Sequence, residues 1–342
     1  MEKTHTRGIR RSTLRTAWDL YGSPGELAGA VRKMCWVVRH SGLLALQRAF
    51  LAKMRQPNMP LANLLQGPAN HPPVAFEDRV DWPGRGLSES RSVSVIIPTQ
   101  GNTPLLTRCL ATMLRSTMQT ARLDIMVINN GPPLHTIPPM PWPIAVRTET
   151  RAFNWSAYNN AAAAHSRADF LLFLNDDVEA IHTGWLDSML AAAMSSNVAV
   201  VGAKLLYPDG TIQHMGITFS EAGDPLHIAR HRPRTDLSPA DPFKVRAVTG
   251  ACLLTTRAIF QQLGGFDERF AFSYNDVDYC LRVQRAGHQV CVLPQAELVH
   301  LETATRPLRT STREQRLFAS LWPAQSLRPR GPTPFGAGSR HP

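Results

Sequence analysis

No apolar run in the chain approaches the ~20 consecutive residues that a membrane-spanning helix needs. The longer apolar stretches, such as Phe170–Leu174 and Val198–Ala203, have the length of strands. The basic start, with Lys3, Arg7, Arg10, Arg11 and Arg15, lacks a following apolar h-region. No signal peptide is therefore read, and a cytoplasmic chain is expected. Cysteine is scarce: Cys35, Cys109, Cys252, Cys280 and Cys291 are odd in number, widely spaced and without a C-x-x-C. That excludes a disulfide framework and a zinc ribbon and leaves reduced core residues. Against these absences stand 342 residues, 43% of them hydrophobic and 18% charged, enough to bury the core of one large or two smaller domains. Collagen-like and wholly disordered classes are excluded by the same composition.

The formal charge of +11 is unevenly placed. Residues 1–55 carry 11 Lys/Arg against 3 Asp/Glu and residues 304–342 carry 7 against 1, whereas the middle holds 19 against 22. A nucleic-acid-binding fold bears its charge on the folded face, so no nucleic-acid partner is expected. An anionic membrane surface suits basic ends better, and peripheral attachment at the inner face of the cytoplasmic membrane follows as an expectation.

Three regions separate by composition. Residues 1–55 read as a basic helical extension, with Val31, Met34, Cys35, Val38, Leu43, Leu46, Phe50 and Leu51 at helical spacing and a break at Ser41-Gly42. They form either an accessory hairpin or a helix lying on a membrane. Residues 56–90, rich in Pro and Gly, read as a linker. From Ser92 short β-rich runs alternate with helical stretches, the pattern of an α/β domain with a largely parallel sheet. Strands are expected at 93–98, 124–128, 144–147, 169–174 and 198–203, and helices near 104–117, 155–165, 182–195, 256–262 and 276–286. The tail, 306–342, is basic, Pro-rich and weakly periodic and is expected to be flexible.

In Phe170-Leu-Leu-Phe-Leu-Asn175-Asp176-Asp177-Val178 a buried-type strand ends in an amide and two carboxylates. The carboxyl edge of a parallel sheet is where α/β folds bind ligands. Mg²⁺ or Mn²⁺ is commonly held there by one or two carboxylates, with ligand phosphates completing the shell. A strand-to-helix turn capped by Asp176 or Asp177 would look the same. A second cluster, Asn275-Asp276-Val277-Asp278, opens a helix with Asn275 as N-cap and Asp278 at N3. Asp276 is less well explained by capping, and the helix dipole favours its ionised form, as a general base requires. His300 follows a β-like stretch and is by itself more often structural than a ligand. Tyr207–Thr218, with His214, reads either as an acceptor contact or as an ordinary hairpin.

Residues 91–305 also show eight segments in a specific order: Val95-Ile-Ile-Pro-Thr99, Val127-Ile-Asn-Asn-Gly131, Phe153-Asn-Trp-Ser-Ala-Tyr-Asn-Asn160, Leu174-Asn-Asp-Asp-Val178, Gly202-Ala-Lys-Leu-Leu-Tyr-Pro-Asp-Gly210, Gly250-Ala-Cys-Leu-Leu254, Gly264-Gly-Phe-Asp-Glu268 and Asn275-Asp-Val-Asp278. In this order and wording the chain resembles the family 2 glycosyltransferases, in particular their bacterial rhamnosyltransferase-like branch. The resemblance implies the inverting GT-A fold, a Rossmann-like nucleotide-binding half with a mixed sheet fused to an acceptor-binding half. It also implies transfer of a sugar from a nucleoside diphosphate-sugar to an acceptor hydroxyl on a glycan or lipid-linked acceptor, in cell-surface polysaccharide or glycolipid synthesis.

Roles follow position by position from that resemblance. Asn175-Asp176-Asp177 stands for the D-x-D motif, with Asp177 a direct ligand of Mg²⁺ or Mn²⁺, Asp176 near donor ribose or metal, and His300 a further ligand. Asp276 stands for the catalytic base. Pro98, Thr99, Asn129 and Asn130 stand for the base and ribose pocket, and Asn154 and Asn159 for the diphosphate side. Trp155 reads as packing. Two positions depart from the family: Asn129 where Asp is usual, and Gly101 where an acidic or amide residue is common. The competing functions are a catalytically weak glycosyltransferase-like scaffold at the membrane and a sugar nucleotidyltransferase. The latter usually has a Gly-rich phosphate loop, and Pro98–Pro104 contains one glycine.

Overall fold

The computed structural model describes residues 91–117, 122–135, 137–234, 241–301 and 312–327. The expected helical extension at 1–55, the linker at 56–90 and the tail beyond residue 327 lie outside them.

The first strand, β1 (Ser92–Thr99), is buried along Val93–Thr99, which is why its apolar run barely alternates. Helix α1 (Thr103–Ser116) follows, capped by Asn102 Oδ1 accepting from the Leu105 amide at 3.3 Å and started by Pro104. Then come β2 (Arg122–Asn129), β3 (Ile144–Thr148), α2 (Trp155–Ala163), β4 (Phe170–Leu174), β5 (Val178–Ala180) and α3 (Trp185–Ala193). The second half holds β6 (Val198–Leu206), β7 (Ile212–His214), β8 (Ile217–Phe219), β9 (Pro225–His227), β10 (Phe243–Lys244) and β11 (Cys252–Thr256). It continues with α4 (Arg257–Gln262), α5 (Asn275–Arg285) and β12 (Gln289–His300), then α6 (Thr312–Leu321) and α7 (Ala324–Leu327).

The main sheet runs β10-β12-β6-β11-β4-β1-β2-β3, with β5 on β12 and β7 on β6. Its β3-β2-β1-β4 half is parallel, β11 is antiparallel to both neighbours, and β6 and β12 run parallel. The sheet is therefore mixed, as expected for GT-A. Two apolar layers cover it, and β4 shows why one strand feeds both. Leu171 and Phe173 join Trp155 and Tyr158 of α2 on one face, while Leu172 and Leu174 join Leu106 and Leu110 of α1 on the other.

Every strand and helix expected from the pattern is present within a few residues. Several short elements were not anticipated, and the tail differs most from expectation. Residues 312–327, read as flexible, form α6 and α7 and bury Phe318, Trp322 and Leu327 in the main core. Their few apolar residues are too sparse to make a pattern, but they meet aromatic partners: Phe318 stacks on Tyr274 at 4.7 Å, and Arg285 lies over Trp322 at 4.1 Å. No described helix is long and apolar enough to cross a membrane.

Candidate active site

The carboxyl ends of β1, β2 and β4 lie side by side, which brings Thr99, Asn129 and Asn175–Asp177 to one sheet edge. Asp176 and Asp177 are both buried. Thr99 Oγ1 donates to Asp176 Oδ2 at 2.6 Å, so the expected pocket residue Thr99 acts on the acidic motif. Beyond Asp177 the chain enters β5, which pairs antiparallel with the end of β12, His300 opposite Val178. This pairing, across more than a hundred residues of sequence, sets His300 Nε2 3.2 Å from Asp177 Oδ1.

The imidazole is oriented by β7. Gln213 Nε2 donates to the His300 carbonyl at 3.1 Å, so its Oε1, 2.6 Å from His300 Nδ1, must accept from that nitrogen. The Nε2 lone pair of neutral His300 therefore faces the Asp177 carboxylate, and Asn175 Nδ2 stands 3.5 Å from the same nitrogen. Either a proton or a cation between them reconciles two acceptors at this distance. Ligands about 2.1 Å from one octahedral ion sit about 3 Å apart, so the pair fits Mg²⁺ or Mn²⁺. Among the described residues no group of three or more His, Cys, Asp or Glu side chains is gathered to hold a metal alone. The donor set suits an ion completed by ligand phosphates.

Asp276 opens α5. Its Oδ2 accepts from the Gly250 amide at 2.7 Å and its Oδ1 from the Val277 amide at 2.8 Å. Burial pushes its carboxyl above the ordinary range, only partly offset by these amides and the Thr249 hydroxyl. Proximity to the helix start alone, invoked from sequence, does not decide its protonation. Gly250 has a reason of its own: a Cβ there would lie 2.9 Å from Trp155 Cη2, so a larger residue would push its amide off Asp276. The expected capping arrangement is absent. The N-cap is Tyr274 at φ 66°, Asn275 Oδ1 accepts from the Asp276 amide, and Asp278 instead binds Arg282 Nε at 2.8 Å and Trp322 Nε1 at 2.9 Å.

Asp276 and His300 line one cleft of about 330 Å³ together with Gln213, His227, Thr249 and Tyr274. Other expected contacts are spent elsewhere. Asn129 closes the loop it begins, its Nδ2 donating to Pro132 O and its Oδ1 accepting from the Gly131 amide. Asn130 Nδ2 ties Glu149 and Arg151 carbonyls. Asn154 caps α2 through the Ala157 amide and donates to Glu268 O, and Asn159 is fully buried with Nδ2 on Trp155 O. Pro98 is buried within β1. The four amides thus each meet a backbone group nearby. Gly101, the other family departure, has φ +80° and space against Pro132 for no side chain, a Cβ there meeting it at 2.7 Å. Trp155 packs on Phe266 at 4.8 Å, as read. Gln213 falls within the segment read as a possible acceptor contact, but its hold on His300 was missed, as was His227, since nothing in their spacing marks either.

A family model described as glycosyltransferase like family 2 matches residues 90–319. An uncharacterized protein of Sinorhizobium fredii is 36% identical over 248 residues, covering 68% of this chain and 27% of that protein. An O-antigen biosynthesis protein of Myxococcus xanthus is 34% identical over 245 residues, covering 68% and 19%. An N-acetylglucosaminyl-diphospho-decaprenol L-rhamnosyltransferase of Mycobacterium tuberculosis is 29% identical over 147 residues, covering 39% and 47%. The chain thus spans less than half the length of each of these relatives. Among solved structures, GalNAc-T7 with UDP, GalNAc and Mn²⁺ superposes with a TM-score of 0.55 at 13% identity, covering 68% of this chain and 49% of that one, a likeness of GT-A fold. With two-thirds of its residues inside the family model and the motif edges assembled as the fold requires, the chain belongs to glycosyltransferase family 2.

Proposed function

We propose that the chain is an inverting glycosyltransferase that moves a sugar from a nucleoside diphosphate-sugar to an acceptor hydroxyl, in cell-surface polysaccharide or glycolipid synthesis. The observation that carries this reading is the shared cleft. Asp276, a carboxylate with a raised proton affinity, and His300, whose Nε2 stands 3.2 Å from the buried Asp177 carboxylate in a pair suited to a divalent cation, line one volume. The relatives named for O-antigen biosynthesis and for rhamnosyl transfer to a lipid diphosphate support the acceptor class.

In this reading Asp177 and His300 hold Mg²⁺ or Mn²⁺, Asp176 is kept in place by Thr99, and Gln213 fixes the imidazole. The cation, when bound, stabilises the negative charge that gathers on the departing diphosphate. Asp276 accepts the acceptor hydroxyl proton as that oxygen attacks the anomeric carbon from the face opposite the leaving group. One displacement inverts the configuration, and no covalent enzyme nucleophile takes part. Asn129 bonds its own loop through Nδ2 and Oδ1, and the remaining N–H and lone pair of its amide stay available to a base at the β1 and β2 ends.

The purified chain is tested against UDP-, dTDP- and GDP-sugars for Mn²⁺-dependent binding and slow hydrolysis. One donor bound in a metal-dependent way and hydrolysed supports the transferase. No binding to any of them overturns it and favours the scaffold.

A further inference from the structure

Beside Asp276 the cleft is lined by His227, which is hydrogen-bonded to a second, buried histidine, and the reaction outlined above uses neither. His214, on β7, is fully buried, and its Nε2 lies 3.2 Å from the Gly216 amide and 3.3 Å from the Thr249 amide. Both amides can only donate, so Nε2 carries the lone pair and the proton of the neutral ring sits on Nδ1. That Nδ1 is 2.9 Å from Nδ1 of His227, the rings meeting edge to face at 76°. His227 Nδ1 must then accept, which places the His227 proton on Nε2. With Nδ1 turned to His214, the Nε2 edge is the one left for the cleft that His227 lines with Asp276 and Tyr274. Among the described residues no group accepts from this nitrogen.

Neither ring is suited to a positive charge. Burial and the neighbouring Arg230 and His300 push His227 down to about 3, and His214 is lowered as well, first by burial. The relay therefore delivers a neutral N–H donor whose direction is set by two backbone amides.

We propose that His227 is a specificity residue that donates from Nε2 to a hydroxyl oxygen of the acceptor sugar, with His214 as its positioning residue. The assignment rests on the transferase reading. The chemistry of the cleft selects the ligand. A hydroxyl both donates and accepts, so one sugar ring can meet the Asp276 carboxylate and the His227 N–H together. A phosphate has no proton for the carboxylate and would be repelled by it, and Arg230, the cation that neighbours His227, is already hydrogen-bonded through Nε to the Tyr207 hydroxyl at 2.7 Å. Phe272, half exposed at the rim, and Tyr274 add the apolar faces on which a sugar ring rests.

Two measurements on the full chain test the assignment. Long-range ¹⁵N–¹H spectra of histidine-labelled protein should show His214 as the Nδ1–H tautomer and His227 as the Nε2–H tautomer, both neutral between about pH 5 and 8. Either ring in the other tautomer, or His227 as a cation in that range, overturns the relay. Second, with the donor found in the nucleotide-sugar panel and a set of methyl hexosides and methyl deoxyhexosides as acceptors, His227→Ala should lower kcat/KM for acceptor about tenfold, the worth of one neutral hydrogen bond. Donor affinity should be kept, and His227→Gln, which retains an N–H, should recover part of the loss. Unaltered acceptor kinetics in His227→Ala, or an equal loss of donor affinity, overturns the assignment while leaving the transferase intact. A wild-type chain that turns over no donor overturns the transferase reading and the acceptor role of His227 with it, whatever the tautomers.

Discussion

Asp276 and Asp177 are both carboxylates at element ends, yet their surroundings divide their work. Asp276 meets two amides of its own neighbourhood and faces the cleft, whereas Asp177 faces an imidazole. Asp276→Asn is expected to lower transfer by about 100-fold or more, the usual worth of a general base, with donor affinity nearly kept. Asp177→Ala is expected to weaken Mn²⁺-dependent donor binding as well. Titration calorimetry beside initial rates separates the two, and a similar loss of donor binding in both variants would contradict the division. The pH profile carries a sign. A base works only when ionised, and burial raises the Asp276 carboxyl, so kcat/KM should climb with pH through a limb displaced above the ordinary carboxylate value of about 3.9. A limb at or below that value would place the base elsewhere.

At the scale of elements, the loop before α5 is held from the tail. Glu314 of α6, itself buried, accepts from the amides of Ala271, Phe272 and Ser273 at 2.9, 3.1 and 2.9 Å. The next residue, Tyr274, takes a positive φ that a bulky side chain adopts only under constraint, and Asp276 follows two residues on. One carboxylate thus fixes the entry to the helix that bears the base. Glu314→Ala should cost about 3 kcal/mol of stability in urea unfolding, since hydrogen bonds to a charged group are the stronger kind. It should also reduce transfer more than donor binding. Full stability and full transfer in that variant would show the tail helices to be mere packing. Lys204 and Glu297 act similarly on β12: the fully buried ammonium meets Glu297 Oε1 at 3.0 Å where the strand resumes its register after the irregularity at Pro294. Arg234 also pairs with that carboxylate. His300 lies three residues further along the same strand.

For the whole molecule, residues 56–303 are slightly acidic while the excess of positive charge belongs to residues 1–55 and 304–342. Lys and Arg near an anionic membrane contribute about 1 kcal/mol each, and the attraction fades beyond a Debye length. Removal of residues 1–55 should therefore reduce sedimentation with phosphatidylserine-containing vesicles, most clearly at low salt. Unchanged sedimentation would assign that segment to an accessory hairpin. The cleft itself is lined by neutral and acidic groups beside its histidines.

Much of the fold was legible because its strands are buried on both faces and its helices are amphipathic, so hydrophobic runs and 3.6-residue spacing survive in the sequence. Leu174-Asn-Asp-Asp177 announced a strand end with carboxylates, and Asp276 stood out at a helix start. Residue type and local order were sufficient for those. Which polar residues are free to meet a ligand was decided only in three dimensions. Asn129, Asn130, Asn154 and Asn159 have the right chemistry, but each satisfies a neighbouring backbone group, and sequence carries no record of which partner a side chain finds. The converse holds for Gln213, His227 and Glu314, ordinary in sequence and distinguished by contacts that span 87, 13 and 43 residues. The sequence by itself determined the class of fold, the family and the acidic motifs, because those rest on local pattern. The tertiary structure decided the tautomers, the pairing of Asp177 with His300 and the docking of the tail, because each depends on long-range pairing that no local pattern encodes.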